Sequence, residues 1–459
     1  METKKTFSTK YVDVLDGIRA LSVIIVLIFH FWQQTWIFPT IQTPFLSFIG
    51  ITSIDFTPFA RCGYLFVDMM VLISGFLLFL PVARNIFFGE PLSSWKTYYK
   101  KRAVRILPSY FFCVIALFIY ELAAGSYGNP VNLGIAFQDL LSHLTFTHMW
   151  RIKTYLGTKL NVVLWTLAVE VWFYILFPLF ALIIKRHKKE SGFVRPLIRV
   201  GILAVLMVGI SLAFIYGYAL NSGSQFSNGI DSLFASLGSD IRSTYPAMFI
   251  NQLPAFFGTY AVGMVGSCIY VFAASRVKQD KLTGSIFTII SAVLIYIIVQ
   301  LLKQCSSLEP AKAQIWQVSN RLMLSCVFMG FILSTSFALG FYRFLFSNRL
   351  MRFLSAISYN LYIWHQWLCV KLKSDWHIPA WPQFGTTDDA PNTWVNNNIY
   401  SAAQQQAGLQ WRTEYAIIIT LFAFGFATLV TYLIERPATK WLNGRDLKSK
   451  AVKPAKRGK

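Results

Sequence analysis

Eight ionisable side chains sit inside long apolar stretches of the chain: Asp16, Arg19, His30, Asp68, Glu121, Glu170, Arg321 and His365. In a hydrocarbon environment such groups are costly, so they face the interior of a bundle, where they pair with one another or line a path. Arg19 and His30 stand eleven residues apart. At about 100° per residue this is within about 20° of three full turns, so both project from one helix face, about 16 Å apart along the axis. Asp16, three residues before Arg19, is spaced to pair with it. An imidazole with a carboxylate beside it can take a proton from a hydroxyl while the carboxylate orients the ring.

The elements that must hold these groups are membrane helices. Hydrophobic residues make up 55% of the 459-residue chain and charged residues only 14%, a balance that a water-soluble chain of this length does not tolerate. With 14 Trp and 41 Phe, it has the aromatic supply for lipid-facing helices and interfacial belts. A span needs about 20 apolar residues. Ten are expected, over 15–38, 63–83, 103–124, 162–184, 197–220, 246–274, 283–302, 316–340, 353–373 and 413–435, giving an all-α polytopic protein. The stretch 40–62, broken by Pro39, Pro44 and Pro58, is expected as an external or re-entrant loop, and 130–150 as a short interfacial helix. The first apolar run carries Asp16, Arg19 and His30 with no small-residue cleavage site after it, so it is expected to stay in the mature protein.

Ten spans put both termini on one side. If that side is the cytoplasm, its loops and tails hold 30 of the 42 Lys and Arg, a strong positive-inside bias. The net charge of +22 therefore reports orientation and affinity for anionic membrane lipids, and a nucleic-acid partner is excluded. Residues 1–440 form one transmembrane domain, with 441–459 a basic cytoplasmic tail. The six cysteines show no C-x-x-C or ligand-like spacing, which gives neither a disulfide framework nor a metal site. Counting along the spans places His30, Asp68 and Glu170 at similar depth in the outer half, with His365 nearer the middle. This layer is read as a proton-transfer site. For each member alone, a hydrogen bond between helices or a helix cap is an equal alternative.

Six blocks in order resemble membrane-bound acyltransferase family 3. They are Leu15-Asp16-Gly17-Ile18-Arg19-Ala20 followed by His30, Phe66-Val67-Asp68 through Ile73-Ser74-Gly75-Phe76, and Lys100-Lys101-Arg102-Ala103-Val104-Arg105-Ile106-Leu107-Pro108. The others are Leu164-Trp165-Thr166-Leu167-Ala168-Val169-Glu170 with Phe173-Tyr174 and Phe177-Pro178, Ile357-Ser358-Tyr359-Asn360-Leu361-Tyr362-Ile363-Trp364-His365, and Ile434-Glu435-Arg436-Pro437. The chain departs from the family at Thr166, where Ser is commoner, and at Val171, where a second acidic residue often follows.

The resemblance implies a multi-pass enzyme of a bacterial cell membrane. It would pass an acyl group, usually acetyl, from cytoplasmic acyl-CoA to a hydroxyl of a surface carbohydrate or glycolipid. Carried onto this chain, His30 is the catalytic base, and Arg19, Arg102 and Arg105 serve the CoA donor. Arg102 and Arg105 lie one turn apart, and guanidinium forks suit phosphate, though ordinary cytoplasmic anchors would look the same. Asp68 and Glu170 complete the catalytic layer, and Trp364 and His365 are expected at the acceptor. Ser74-Gly75 offers a hydroxyl for an acyl-serine but is read as a close-packing pair, and Glu121 and Arg321 as helix-to-helix partners. In the outer loop 374–411, Trp376, Trp381, Trp394 and Trp411 with Asp388 and Asp389 suit either sugar contact or an interfacial anchor. A proton-coupled transporter using the same His and carboxylates is the rival reading, although no internal repeat of the kind common in transporters is evident.

Overall fold

The computed structural model describes residues 7–35, 40–50, 52–187, 192–216, 250–380 and 402–442. Long apolar segments become helices because the α-helix satisfies every backbone amide within one segment. The helices are α1 (Val14–Thr35), α2 (Thr57–Cys62), α3 (Phe66–Phe88), α4 (Trp95–Ala123), α5 (Leu133–Leu144), α6 (Ile152–Tyr155), α7 (Trp165–Ile184) and α8 (Val194–Phe214). They continue with α9 (Leu253–Ala274), α10 (Lys281–Ser306), α11 (Pro310–Phe337), α12 (Gly340–Ser347), α13 (Arg349–Val370) and α14 (Ala402–Val430). Polar caps mark several starts: Ser94 accepts from the Thr97 amide, Asp280 from Thr283 and Asn348 from Met351.

Among the described residues, nine helical segments are long and apolar enough to cross a membrane. The chain is an all-α polytopic membrane protein. The expected span 353–373 forms helix α13 but is not one of the nine, for a physical reason. Ser358, Asn360 and His365 are buried on it, so its polarity is directed into the bundle rather than toward lipid. Helix α13 packs against α1, α14 and α4. On the other side α9 packs against α3, α8 and α11, and α1 also lies on α3, joining the two groups. Helices α8 and α10 present exposed Ile, Leu and Val along their length, as lipid-facing helices do.

The segment expected as a proline-broken loop, 40–62, holds a small antiparallel hairpin, Thr40–Gln42 paired with Ser53–Asp55, and then α2. The segment 130–150, expected as a short interfacial helix, holds the short helix α5, capped by Asn132. Residues 217–249 and 381–401, with Trp381, Asp388, Asp389 and Trp394, lie outside the described residues, as does 443–459 of the basic tail.

Glycine sets the closest helix approaches. A Cβ at Gly17 on α1 would meet the Phe346 carbonyl of α12. At Gly263 on α9 it would come within 2.6 Å of the Leu72 carbonyl and 2.9 Å of the Phe76 amide on α3, backbone atoms that cannot swing away. Gly263→Ala is therefore expected to destabilise the α3–α9 seam by about 1–3 kcal/mol. The check is the thermal midpoint of detergent-solubilised protein, and an unchanged midpoint would refute the close approach.

Candidate active site

The three arginines singled out by spacing meet in one cleft. Arg19 comes from α1, and Arg102 and Arg105 from the start of α4. Glu170 and Tyr174 from α7, Ser74 from α3, and Tyr359 and Tyr362 from α13 share its wall. The positions follow from local helix geometry. Arg102 and Arg105 are one turn apart on α4, and Tyr98 and Tyr99 of the preceding turn clamp that helix to α7. Their hydroxyls donate to the Tyr174 and Ile175 carbonyls, each at 3.1 Å. The Arg102 guanidinium carbon lies 5.5 Å from the Tyr174 ring centre, within cation–π range.

Glu170 is the anion of this cleft. Ser74 Oγ donates to its Oε1 at 2.6 Å, and the Tyr174 hydroxyl donates to the same oxygen from the next turn of α7. A second acid stands close by. Glu435, beyond the end of α14, accepts from Asn360 Nδ2 at 2.6 Å, while Arg436 turns away over the Tyr432 ring. Asp16 accepts from the Tyr11 hydroxyl and, at 3.4 Å, from Ser355 Oγ, tying the base of α1 to α13.

His30 and His365 form a separate centre. His365 Nε2 lies 2.9 Å from His30 Nδ1, and the ring centres are 4.7 Å apart. His365 is fully buried and His30 partly so. The cleft reaches Tyr362, whose hydroxyl meets that of Thr166 at 3.0 Å and whose ring centre is 5.6 Å from that of His365. One end of the site is thus rich in guanidinium groups, and the imidazole pair lies just beyond the other.

The layer expected from depth alone is not what the side chains build. His30 meets His365. Asp68 instead pairs with Arg321 of α11 at 3.1 Å and accepts from Gln317 at 3.1 Å, all buried. Glu170 faces the arginines. Equal depth did not bring these groups together because Asp68 points from α3 toward α11, whereas Glu170 points from α7 into the cleft. Trp364 does not join the imidazoles either. It is buried in the seam of α4 and α14, 5.9 Å from the Phe112 ring and 4.8 Å from Phe426. Glu121 ties α4 to the C-terminal end of α13, accepting from Trp367 Nε1 at 2.8 Å and pairing with Lys371 at 3.0 Å.

Ser74, Tyr174, Thr166 and Tyr362 were missed as site residues. Tyr174 carried a usable signal, since it follows Glu170 by four residues and so shares its face. The hydroxyl of Ser74 was weighed only as an acyl carrier, and Ser and Thr are otherwise ordinary at helix contacts in a membrane.

Residues 12–436 match the family described as Acyltransferase domain. The chain belongs to that family. Among relatives of this acyltransferase-family protein, O-acetyltransferase OatA of Staphylococcus aureus (strain NCTC 8325 / PS 47) is 22% identical over 244 residues, covering 51% of this chain and 34% of the relative. Peptidoglycan O-acetyltransferase OatA of Listeria monocytogenes serovar 1/2a is 24% identical over 228 residues, covering 46% of this chain and 30% of the relative. The match thus spans about a third of the length of these curated relatives. No solved structure matches the chain.

The Asp68–Arg321 pair has a testable energetic signature. Breaking a buried pair from one side strands a charge and costs about 3–5 kcal/mol, whereas replacing both partners with apolar groups is often neutral. Arg321→Met alone is expected to lower the thermal midpoint sharply, and Asp68→Leu with Arg321→Met to recover most of it. A folded double variant that has lost activity would instead give Asp68 a chemical role.

Proposed function

We propose that this protein is an integral-membrane O-acyltransferase. It takes an acyl group, acetyl in the first instance, from acyl-CoA on the cytoplasmic side and places it on a hydroxyl of a cell-surface glycan, with His30 as general base. The observation that carries this reading is the cleft in which Arg19, Arg102 and Arg105 converge and whose wall includes Tyr362, the ring neighbour of His365 in the His30–His365 pair. CoA has the matching shape, a phosphate-bearing head joined by a long thin arm to a thioester. Guanidinium groups recognise phosphate with paired, charge-assisted hydrogen bonds. Along α1, Arg19 and His30 are about 16 Å apart, a reach comparable to the arm. The family membership and the names of the relatives support acyl transfer, and the Listeria relative's name directs the acceptor reading toward peptidoglycan glycan.

The reaction balances without a resident cofactor. The acceptor hydroxyl gives its proton to His30 as its oxygen attacks the thioester carbonyl. The tetrahedral intermediate collapses with cleavage of the C–S bond, and the departing CoA sulfur takes the proton back. Arg19, Arg102 and Arg105 hold the donor, and Glu170, fixed by Ser74 and Tyr174, sets the charge around them. A positioned base of this kind contributes about 10²–10⁴-fold.

Purified protein in vesicles, given acetyl-CoA and a soluble glycan acceptor, is expected to release free thiol in an acceptor-dependent way. His30→Ala should lower kcat by about 10²–10⁴-fold. Arg19→Gln, Arg102→Gln and Arg105→Gln should each raise KM for acetyl-CoA by about 10–100-fold, the worth of a hydrogen bond to a charged group. Proton-coupled solute uptake without thiol release would replace the enzyme with a transporter.

A further inference from the structure

The atoms around the two imidazoles determine which nitrogen of His30 is reactive. His365 Nδ1 lies 2.7 Å from the Tyr362 carbonyl oxygen and 3.1 Å from that of Leu361. A carbonyl oxygen only accepts, so this nitrogen carries a hydrogen. The other nitrogen of the neutral His365 ring, Nε2, is then a bare acceptor, 2.9 Å from His30 Nδ1. His30 Nδ1 also lies 3.0 Å from the Val26 carbonyl oxygen. Facing two acceptors, His30 Nδ1 must carry a hydrogen too, which leaves the lone pair of His30 on Nε2.

We infer that His365 is a positioning residue that holds His30 in its Nδ1–H tautomer and so presents His30 Nε2 as the proton acceptor. The inference rests on the proposed acyl transfer and names the atom and the partner through which it runs. Each ring is locked by carbonyls of the preceding turn of its own helix, and the α1–α13 contact sets the distance between them. Among the described residues no carboxylate bonds to either ring; the rings bond to these backbone oxygens and to each other. The aromatic neighbours are Phe29, with its ring centre 5.0 Å from that of His30, and Tyr362 beside His365.

The orienting job that a carboxylate performs in a Ser-His-Asp triad is here done by a neutral imidazole. When His30 Nε2 takes the acceptor proton, the Nδ1–H bond to His365 becomes charge-assisted and tightens. The proton then leaves from Nε2 to the CoA sulfur, and both rings return to their starting tautomers, so no proton is gained or lost over a cycle.

The test uses full-length protein in vesicles with ¹⁵N-labelled histidine, six residues in all. Solid-state NMR should show neutral His30 protonated at Nδ1 and bare at Nε2. H365A should give a mixture of tautomers and lower kcat by about 10–100-fold, part of the full worth of the base, with KM for acetyl-CoA within about twofold. H365Q, whose side-chain carbonyl can accept from His30 Nδ1, should recover most of the loss. Wild-type His30 protonated at Nε2 would overturn the inference without any variant. So would a folded H365A with full kcat, or a folded H365Q no better than H365A, while H30A is inactive. An active H30A would instead overturn the acyl-transfer reading with His30 as base.

Discussion

A polar side chain in the hydrocarbon layer has no water to fall back on, and every imidazole, carboxylate and guanidinium buried there must be met by another group of the same chain. Three independent solutions to that constraint organise this bundle. Asp68 and Arg321 neutralise each other across α3 and α11. Glu121 collects the Trp367 indole and the Lys371 ammonium at one end of α13. His30 and His365 satisfy each other across α1 and α13. Each joins helices far apart in sequence, so each helps to fix a packing arrangement as well as to relieve a cost.

The arginine cleft departs from this pattern in an informative way. On its wall Arg19, Arg102 and Arg105 face one carboxylate, Glu170, while Asp16 and Glu435 act on the arginines from outside the wall. Two of these carboxylates are themselves held in place, Glu170 by Ser74 and Tyr174, Glu435 by Asn360. A cavity with a fixed excess of guanidinium suits an incoming polyanion, since an occupant carrying phosphates would complete the charge balance that the side chains leave open. By contrast, the two imidazoles beyond Tyr362 meet each other.

Much of this was legible in the sequence, because helical periodicity and burial cost leave marks that spacing reveals. Arg19 and His30 share a face of α1, and Arg102 and Arg105 share one on α4, as their separations require. What depth along a helix could not provide was direction around it. Asp68, Glu170 and His30 were placed in one layer, yet they point to α11, to the cleft and to α13 respectively. The pairing of His30 with His365 depends on how α1 and α13 lie against each other, and those helices are more than 300 residues apart in sequence. Trp364 shows the same limit, since one step along α13 from His365 turns it by about 100° into a different seam.

The neutral imidazole beside His30 also makes sense of its depth. A carboxylate partner in that position would be a buried charge in the resting enzyme, and without a cation of its own it would be expensive or would become protonated. On the proposed reading, an imidazole held by two backbone carbonyls carries no charge until His30 takes a proton, so the electrostatic cost would arise only during turnover. The excess charge then stays where the donor phosphates would balance it, at the Arg19 end. Helix α1 in this way separates two environments about 16 Å apart along its axis, one charged and suited to binding, the other neutral and suited to proton transfer. A thioester borne on a long arm is the kind of reactant that can use both at once.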